Sequence, residues 1–154
     1  MRITTFLLVL THLGVGGLWL GAMAYSLTVA QPRITRLFDS PAGAENAYRK
    51  LASGQRWRVV GLLGLLAGSG IALAYVVEPR PVGWWLLIAA KTVLFGVAAG
   101  LFWWVSWRGW PRRVFALPDE LPELQRRFRR VAVGLAGCVG TAFVLGVAAA
   151  QLAR

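Results

Sequence analysis

Four long apolar stretches that contain no carboxylate constrain this sequence more than any other feature. They cover residues 3–30, 59–77, 82–107 and 131–152. The hydrocarbon core of a bilayer is about 30 Å thick, and about 20 apolar residues in an α-helix cross it. Helices are the expected conformation because lipid offers no hydrogen bonds to the backbone. The sequence therefore predicts an all-α integral membrane protein, folded as one domain into a four-helix transmembrane bundle.

The composition of the chain supports this class. Hydrophobic residues make up 57% of the 154 residues and charged residues only 15%, whereas soluble domains average about 45–50% apolar and about 25% charged residues. The single cysteine, Cys138, excludes a disulfide within the chain and a metal site made of cysteines alone, because each needs at least two thiols.

The basic residues are concentrated in two connections, residues 31–58 and 108–130. These carry six and seven of the 17 cations, whereas the turn at 78–81 carries one and each terminus carries one. The positive-inside rule then places both long connections in the cytoplasm and both termini outside. We expect a multi-pass protein of the cytoplasmic membrane whose cations face anionic lipid. The net charge of +11 therefore does not indicate a nucleic-acid partner.

Three features of the connections predict local structure. Pro32 follows the first apolar stretch and is expected to end its helix. Residues 44–52 and 121–128 are expected to form short helices that lie on the membrane surface.

Glycines at short, regular spacing predict that the helices pack closely, because small residues let helix backbones approach one another. The pairs four residues apart are Gly17 and Gly21, Gly64 and Gly68, and Gly96 and Gly100, and the fourth stretch has Gly134, Gly137 and Gly140 at a spacing of three.

Polar residues within the apolar stretches are the candidate functional groups. His12 is the only histidine, and Lys91 is the only charged residue well inside a stretch. Each lies about nine residues from the outer end of its helix, which is about 13 Å at 1.5 Å per residue. Ser69 and Thr141 lie at a similar depth in the other two helices. Since polar side chains in hydrocarbon usually face the bundle interior, these four are expected to meet in one layer.

The first helix presents His12 and Trp19 on one face. Together with Gly16 and Met23 they recur at helical spacing, so this face is expected to turn inward. The Trp19 ring could stack on a flat cofactor there.

Two interpretations of the polar layer remain open. In the structural interpretation, His12 hydrogen-bonds to Ser69 or Thr141, and Lys91 extends toward the outer interface along its four-carbon stem. In the functional interpretation, the same side chains bind a cofactor or substrate, with Lys91 as the candidate catalytic residue.

Few cofactors need only one histidine. Heme b requires one axial imidazole and an apolar slot between helices, and His12 could supply that ligand. Lys91 could then act as a second axial ligand, a propionate partner or a proton donor. Copper(I) is the alternative because it prefers thiolate, thioether and imidazole ligands. Its only candidates are His12, two methionines and Cys138, and Cys138 is expected on the cytoplasmic side, away from His12.

Short motifs in the first and third helices resemble the CopD (copper-resistance D) family. They are His12-Leu13-Gly14, Leu18-Trp19-Leu20-Gly21, Gln31-Pro32-Arg33 and Gly83-Trp84-Trp85-Leu86, the last leading to Lys91. The related HemJ-type protoporphyrinogen oxidases also have a histidine in the first helix and a lysine in the third, both linked to heme b and activity. The resemblance implies that His12 and Lys91 take these places.

These observations leave three classes of function open. The first is a heme-dependent protein acting in electron transfer or porphyrin oxidation, with His12 as axial ligand and Trp19, Ser69 and Thr141 around the cofactor. The second is a copper transport or resistance protein of the cytoplasmic membrane. The third is a non-catalytic subunit that packs into a homo-oligomer or a larger membrane complex.

Overall fold

The fold is given by a computed structural model, which describes residues 3–38, 40–76 and 81–152. The helices are α1 (Ile3–Tyr25), α2 (Gln31–Leu37), α3 (Pro41–Ala52), α4 (Gln55–Val76), α5 (Val82–Trp104), α6 (Trp110–Val114) and α7 (Leu121–Leu152). Four helical stretches are long and apolar enough to cross a membrane. The predicted all-α four-helix bundle and multi-pass membrane class are confirmed. The arginines predicted at the termini and in the turn between α4 and α5 lie outside the described residues.

Two helices continue through a proline instead of ending there. A π-helical turn at Ser26–Ala30 joins α1 to α2, and another at Val105–Gly109 joins α5 to α6. Pro32 and Pro111 follow two residues after these turns. A proline lacks an N–H and crowds the carbonyl four residues earlier in a helix. For Pro32 and Pro111, that carbonyl lies in the π-helical turn. The wider helix there relieves the steric conflict. The prediction that Pro32 ends the first helix is therefore wrong.

The two predicted surface helices have different outcomes. Residues 44–52 are helical and belong to α3. Residues 121–128 are instead the first turns of α7, which runs unbroken for 32 residues, so the expected separate helix is absent. The reason lies in the sequence, because no glycine or proline interrupts residues 123–133.

The four spans pack in the order α4, α1, α7, α5. Each contributes one residue to a small buried cluster in the middle of the bundle: Trp19, Leu66, Ala98 and Val139. The helices α4 and α5 follow one another in the chain but do not pack closely together. The bundle is therefore closed along three of its four seams.

Of the predicted glycines, Gly140 packs inside the bundle, whereas the pairs four residues apart do not. Gly16 lies close to Phe143 and Leu66, and Gly140 lies close to Leu20. A side chain added at the predicted pairs would meet open space, apart from a marginal contact at Gly17. Those with nothing within 4 Å are Gly21, Gly64, Gly68, Gly96 and Gly100. The prediction that these pairs bring the helices of one chain together is wrong.

A buried ion pair joins the two basic connections. Arg113 donates two hydrogen bonds of 2.8 Å to the Glu45 carboxylate, from Nε to Oε1 and from Nη2 to Oε2. Both side chains are almost fully buried. The guanidinium carbon of Arg113 lies 5.0–5.3 Å from the ring centres of Tyr48, Trp110 and Phe128. This cluster, which we call the basic-end clamp, holds α3, α6 and α7 together.

A second contact at the same end joins the start of α4 to the turn after α5. Arg56 donates a hydrogen bond to the Ser106 carbonyl and lies 4.8 Å from the centre of the Trp107 ring. The ring of Trp57 meets the Trp107 ring edge to face at 6.4 Å. The helices α4 and α5 are thus tied at their basic ends.

Candidate ligand-binding site

His12, Ser69 and Lys91 form one hydrogen-bonded chain inside the bundle. The His12 Nδ1 atom lies 2.8 Å from Ser69 Oγ, and Lys91 Nζ lies 3.0 Å from His12 Nε2. The three residues come from α1, α4 and α5. The matched depth of these residues in the sequence predicted this meeting, and the structure brings them together.

The hydrogen bonds of Ser69 fix which ring nitrogen of His12 carries the proton. The Ser69 hydroxyl donates to the Leu65 carbonyl at 2.6 Å. Its single hydrogen is then used, so Ser69 accepts the hydrogen bond from His12 Nδ1–H. The Nε2 atom is left as a bare acceptor, and the Lys91 amine donates to it.

Two glycines make room for this chain. A Cβ added at Gly70 would lie 3.2 Å from His12 Cε1, and one at Gly146 would lie 2.8 Å from Lys91 Nζ. A methyl group at either position would crowd the polar side chain where it now lies. Sequence analysis missed them, since nothing in their spacing separates them from the chain's other glycines.

His12 and Lys91 line a cavity of about 460 Å³ to which all four spans contribute. This volume is within the range of about 300–1,000 Å³ that is usual for small-molecule sites. Apart from His12 and Lys91, the walls are nearly all apolar, and Trp19 forms part of them. Trp19 is 4% exposed, and it also belongs to the central buried cluster.

The structural interpretation of the polar layer holds for one residue and fails for another. His12 is hydrogen-bonded to Ser69, as that interpretation predicted. Lys91 points at His12 instead of toward the membrane interface. No carboxylate occurs in residues 82–107 or in the other apolar stretches. The lysine amine therefore lies in the bundle with a neutral imidazole as its partner.

The expected fourth member of the layer, Thr141, does not join it. Thr141 is exposed on α7. Helix α7 contributes to the site in two other ways. Gly146 leaves space for the Lys91 amine, and the Cys138 side chain lines the cavity. The prediction had placed Cys138 away from His12, but the cavity is long enough for both to line it.

Metal ligands are sparse in the described parts of the chain. No group of three or more His, Cys, Asp or Glu side chains there could hold a metal ion. A cofactor that asks the protein for one imidazole is therefore the better match to this donor set.

Comparison with known proteins adds nothing to this geometry. No family model, curated protein or solved structure matches the chain.

Proposed function

We propose that this protein binds heme b through His12 Nε2, in the cavity between its four spans, and acts in electron transfer or porphyrin oxidation in the cytoplasmic membrane. One observation carries the proposal. The His12 imidazole has its Nδ1–H held by Ser69 at 2.8 Å and its bare Nε2 turned toward Lys91 at the cavity. That is the state in which a histidine serves as an axial ligand, because the second hydrogen bond fixes both the tautomer and the ring orientation.

The surroundings of His12 fit this group. The walls of the cavity are apolar, as a porphyrin requires, and Trp19 offers a flat ring among them. The Lys91 amine covers Nε2, so it would have to move aside for His12 to hold the group through this atom. Its four-carbon stem allows this movement without a change in the backbone.

Lys91 has a distinct part in this proposal. Heme supplies one-electron chemistry when it is bound, and Lys91 supplies the one amine within the apolar stretches. The amine can pair with a carboxylate or hold and release a proton at Nζ. The resemblance of the first and third helices to CopD and HemJ-type proteins supports the same pair of residues.

Copper binding is the second candidate, and a single observation favours it. Cys138 and His12 line the same cavity, and a thiolate with an imidazole suits copper(I). This alternative would make the protein a copper-handling component of the membrane.

A visible spectrum of the purified protein tests the proposal. Protein expressed with an adequate heme supply should show a Soret band, and dithionite should sharpen the bands at longer wavelength. His12→Ala should lose these bands while its helical circular dichroism stays unchanged. Thr141→Val, an exposed change at similar depth on α7, should keep them.

Each other outcome has a definite meaning. A heme spectrum that His12→Ala does not alter would contradict the axial role. A colourless protein that binds one copper per chain, and loses it in both His12→Ala and Cys138→Ala, would replace heme by copper. A colourless and metal-free protein that purifies with fixed partners would point to a subunit of a larger complex.

A further inference from the structure

Three of the four seams between the spans are closed by a glycine of one helix against a side chain of the next. Gly70 of α4 meets His12 of α1, Gly140 of α7 meets Leu20 of α1, and Gly146 of α7 meets a side chain of α5. The fourth seam, between α4 and α5, has no such contact. The glycines of α4 and α5 that face outward, such as Gly64 and Gly96, have nothing within 4 Å of an added Cβ.

The α4–α5 seam is tied at its basic end. Arg56 and Trp57 of α4 contact the turn after α5 through Ser106 and Trp107. Farther along the spans the two helices do not pack closely. We call the resulting space, from Ile71 on α4 to Thr92 on α5, the lateral gap.

The cavity reaches the surface of the bundle at the lateral gap. Ile71 and Thr92 both line the cavity, and both are exposed, Ile71 to 61%. Thr92 follows Lys91 directly in the chain. Since these residues lie well inside apolar spans, the surface they form faces the acyl chains of the membrane.

Buried side chains lie toward both ends of the cavity. Toward the basic end, the buried cluster that includes Trp19 and Leu66 fills the middle of the bundle. Toward the opposite end, Trp84 and Ala149 line the cavity and are only 4% and 3% exposed, whereas Ala150 beside them lines it and is exposed. Among the described residues, Ile71 and Thr92 of the lateral gap are thus two of the three exposed residues that line the cavity.

We propose that the lateral gap is the route by which the ligand of this cavity enters and leaves, directly from the hydrocarbon phase. The ligand is a thin, largely apolar molecule dissolved in the membrane, and it carries a carboxylate for Lys91. This proposal rests on the proposed function in one respect, because both place a ligand in the same cavity. The lateral gap itself does not depend on heme.

The charges around Lys91 indicate that the ligand carries a carboxylate. A lysine amine in hydrocarbon is stable as a cation only beside an anion. The apolar stretches contain no carboxylate, so the ligand must bring it. An acid that crosses hydrocarbon in its neutral form also brings the proton: its O–H bond breaks, an N–H bond forms at Nζ, and an ion pair remains.

The native Cys138 reports on access to the cavity, which it lines. In protein reconstituted into lipid nanodiscs, a neutral alkyl methanethiosulfonate should modify Cys138 at least ten times faster than the charged trimethylammonium reagent. Ile71→Trp, which fills the lateral gap, should slow the neutral reagent about tenfold. Leu65→Trp is the matched control, because Leu65 is exposed on α4 but does not line the cavity. It should leave the rate unchanged.

A second reporter decides the case in which Cys138 reacts with neither reagent. Thr92→Cys in a Cys138→Ala background places the thiol in the lateral gap itself. Rapid modification of this thiol by the neutral reagent alone, slowed by Ile71→Trp, supports the proposal. Equal rates for the two reagents would mean that the cavity opens to water, and a rate that Ile71→Trp does not change would mean that the gap is not the route. Either result overturns the proposal.

The carboxylate is tested by competition. A long-chain fatty acid in the nanodisc should slow modification of Cys138, and its methyl ester should not. Lys91→Met should weaken the competition by the acid about tenfold or more, as expected for a lost charge-assisted hydrogen bond. Equal competition by acid and ester would overturn the role of Lys91.

The rate and the final amount of heme uptake are measured separately in the same preparations. In apoprotein, Ile71→Trp should slow heme uptake from the bilayer about tenfold without lowering the final amount bound. If no variant binds heme but the pattern of thiol modification holds, the proposed function fails and the lateral gap stands. If heme binds at the same rate in Ile71→Trp and wild type, the gap fails as the route and the function stands.

Discussion

The Nε2 atom of His12 lies 3.0 Å from Lys91 Nζ, across 79 residues of sequence. The contact is one end of a chain of three hydrogen bonds that all run in the same direction. Lys91 donates to His12, His12 donates to Ser69, and Ser69 donates to the Leu65 carbonyl. Hydrogen bonds aligned in this way polarise one another. A change at either end should therefore be felt at the imidazole.

Ser69→Ala tests the support of the imidazole. It removes the acceptor for His12 Nδ1–H, so the ring loses its fixed tautomer and orientation. Loss of such a supporting hydrogen bond weakens a metal ligand by about 10–100-fold. Heme titration of the apoprotein should show a decrease of this size. Thr141→Val should bind as wild type does, because Thr141 is exposed on α7, and an equal loss in both variants would contradict a specific role for Ser69.

Gly146→Ala tests the position of the lysine amine. The added Cβ would lie 2.8 Å from Lys91 Nζ, and the flexible end of the side chain can move aside. We expect the melting temperature to change little and the heme spectrum to shift in the same direction as in Lys91→Met. Gly137→Ala, which adds its Cβ in open space, serves as the control. A Gly146→Ala spectrum identical to wild type would show that the position of the amine does not affect the heme.

Glu45→Gln tests the basic-end clamp. It leaves the buried Arg113 guanidinium without its anion, and removing one partner of a buried pair costs about 3–5 kcal/mol. Thermal unfolding in detergent should show a clearly lower Tm. The change Glu123→Gln affects an exposed carboxylate that also pairs with arginine and should have little effect.

The clamp is further tested by removing both charges. Glu45→Gln with Arg113→Met should recover part of the lost stability, because no buried charge is then left unpaired. A double variant that is less stable than either single variant would contradict this account of the clamp.

Gly109→Ala tests the packing beside the clamp. A Cβ at this position would lie 2.8 Å from Phe128 Cζ, and that ring is held against Trp110 and Arg113. Overpacking of this kind costs about 1–3 kcal/mol, so Tm should fall. Gly134→Ala adds the same methyl group where nothing lies within 4 Å, and it should not lower Tm. Equal effects would mean that helix propensity, and not the contact with Phe128, decides the result.

The bundle and three residues of the site were predictable because depth in a membrane is a one-dimensional quantity. Counting residues from the ends of the spans placed His12, Ser69 and Lys91 in one layer, and the hydrogen bonds join them. Counting does not give the direction in which a helix faces. For that reason Thr141, at a comparable depth, was expected to join them and is exposed instead.

Other features escaped prediction because they depend on contacts between distant segments. The ion pair of Glu45 and Arg113 joins two polar connections whose charges, taken alone, are typical of solvated surfaces. The room made by Gly70 and Gly146 exists only once the neighbouring side chains are placed. A proline such as Pro32 is typical of the end of a helix, but the π-helical turn before it lets the helix continue.

The π-helical turn at Val105–Gly109 holds one residue more than an α-helical turn would. Deleting one residue from it would close the turn into a regular α-helix, and Pro111 would then crowd the carbonyl four residues earlier. The helix would bend there, and Arg113, two residues farther along, would no longer face Glu45 across the basic-end clamp. Substitutions on the outward side of the turn keep the number of residues and leave the clamp in place. The segment should therefore tolerate substitutions far better than deletions.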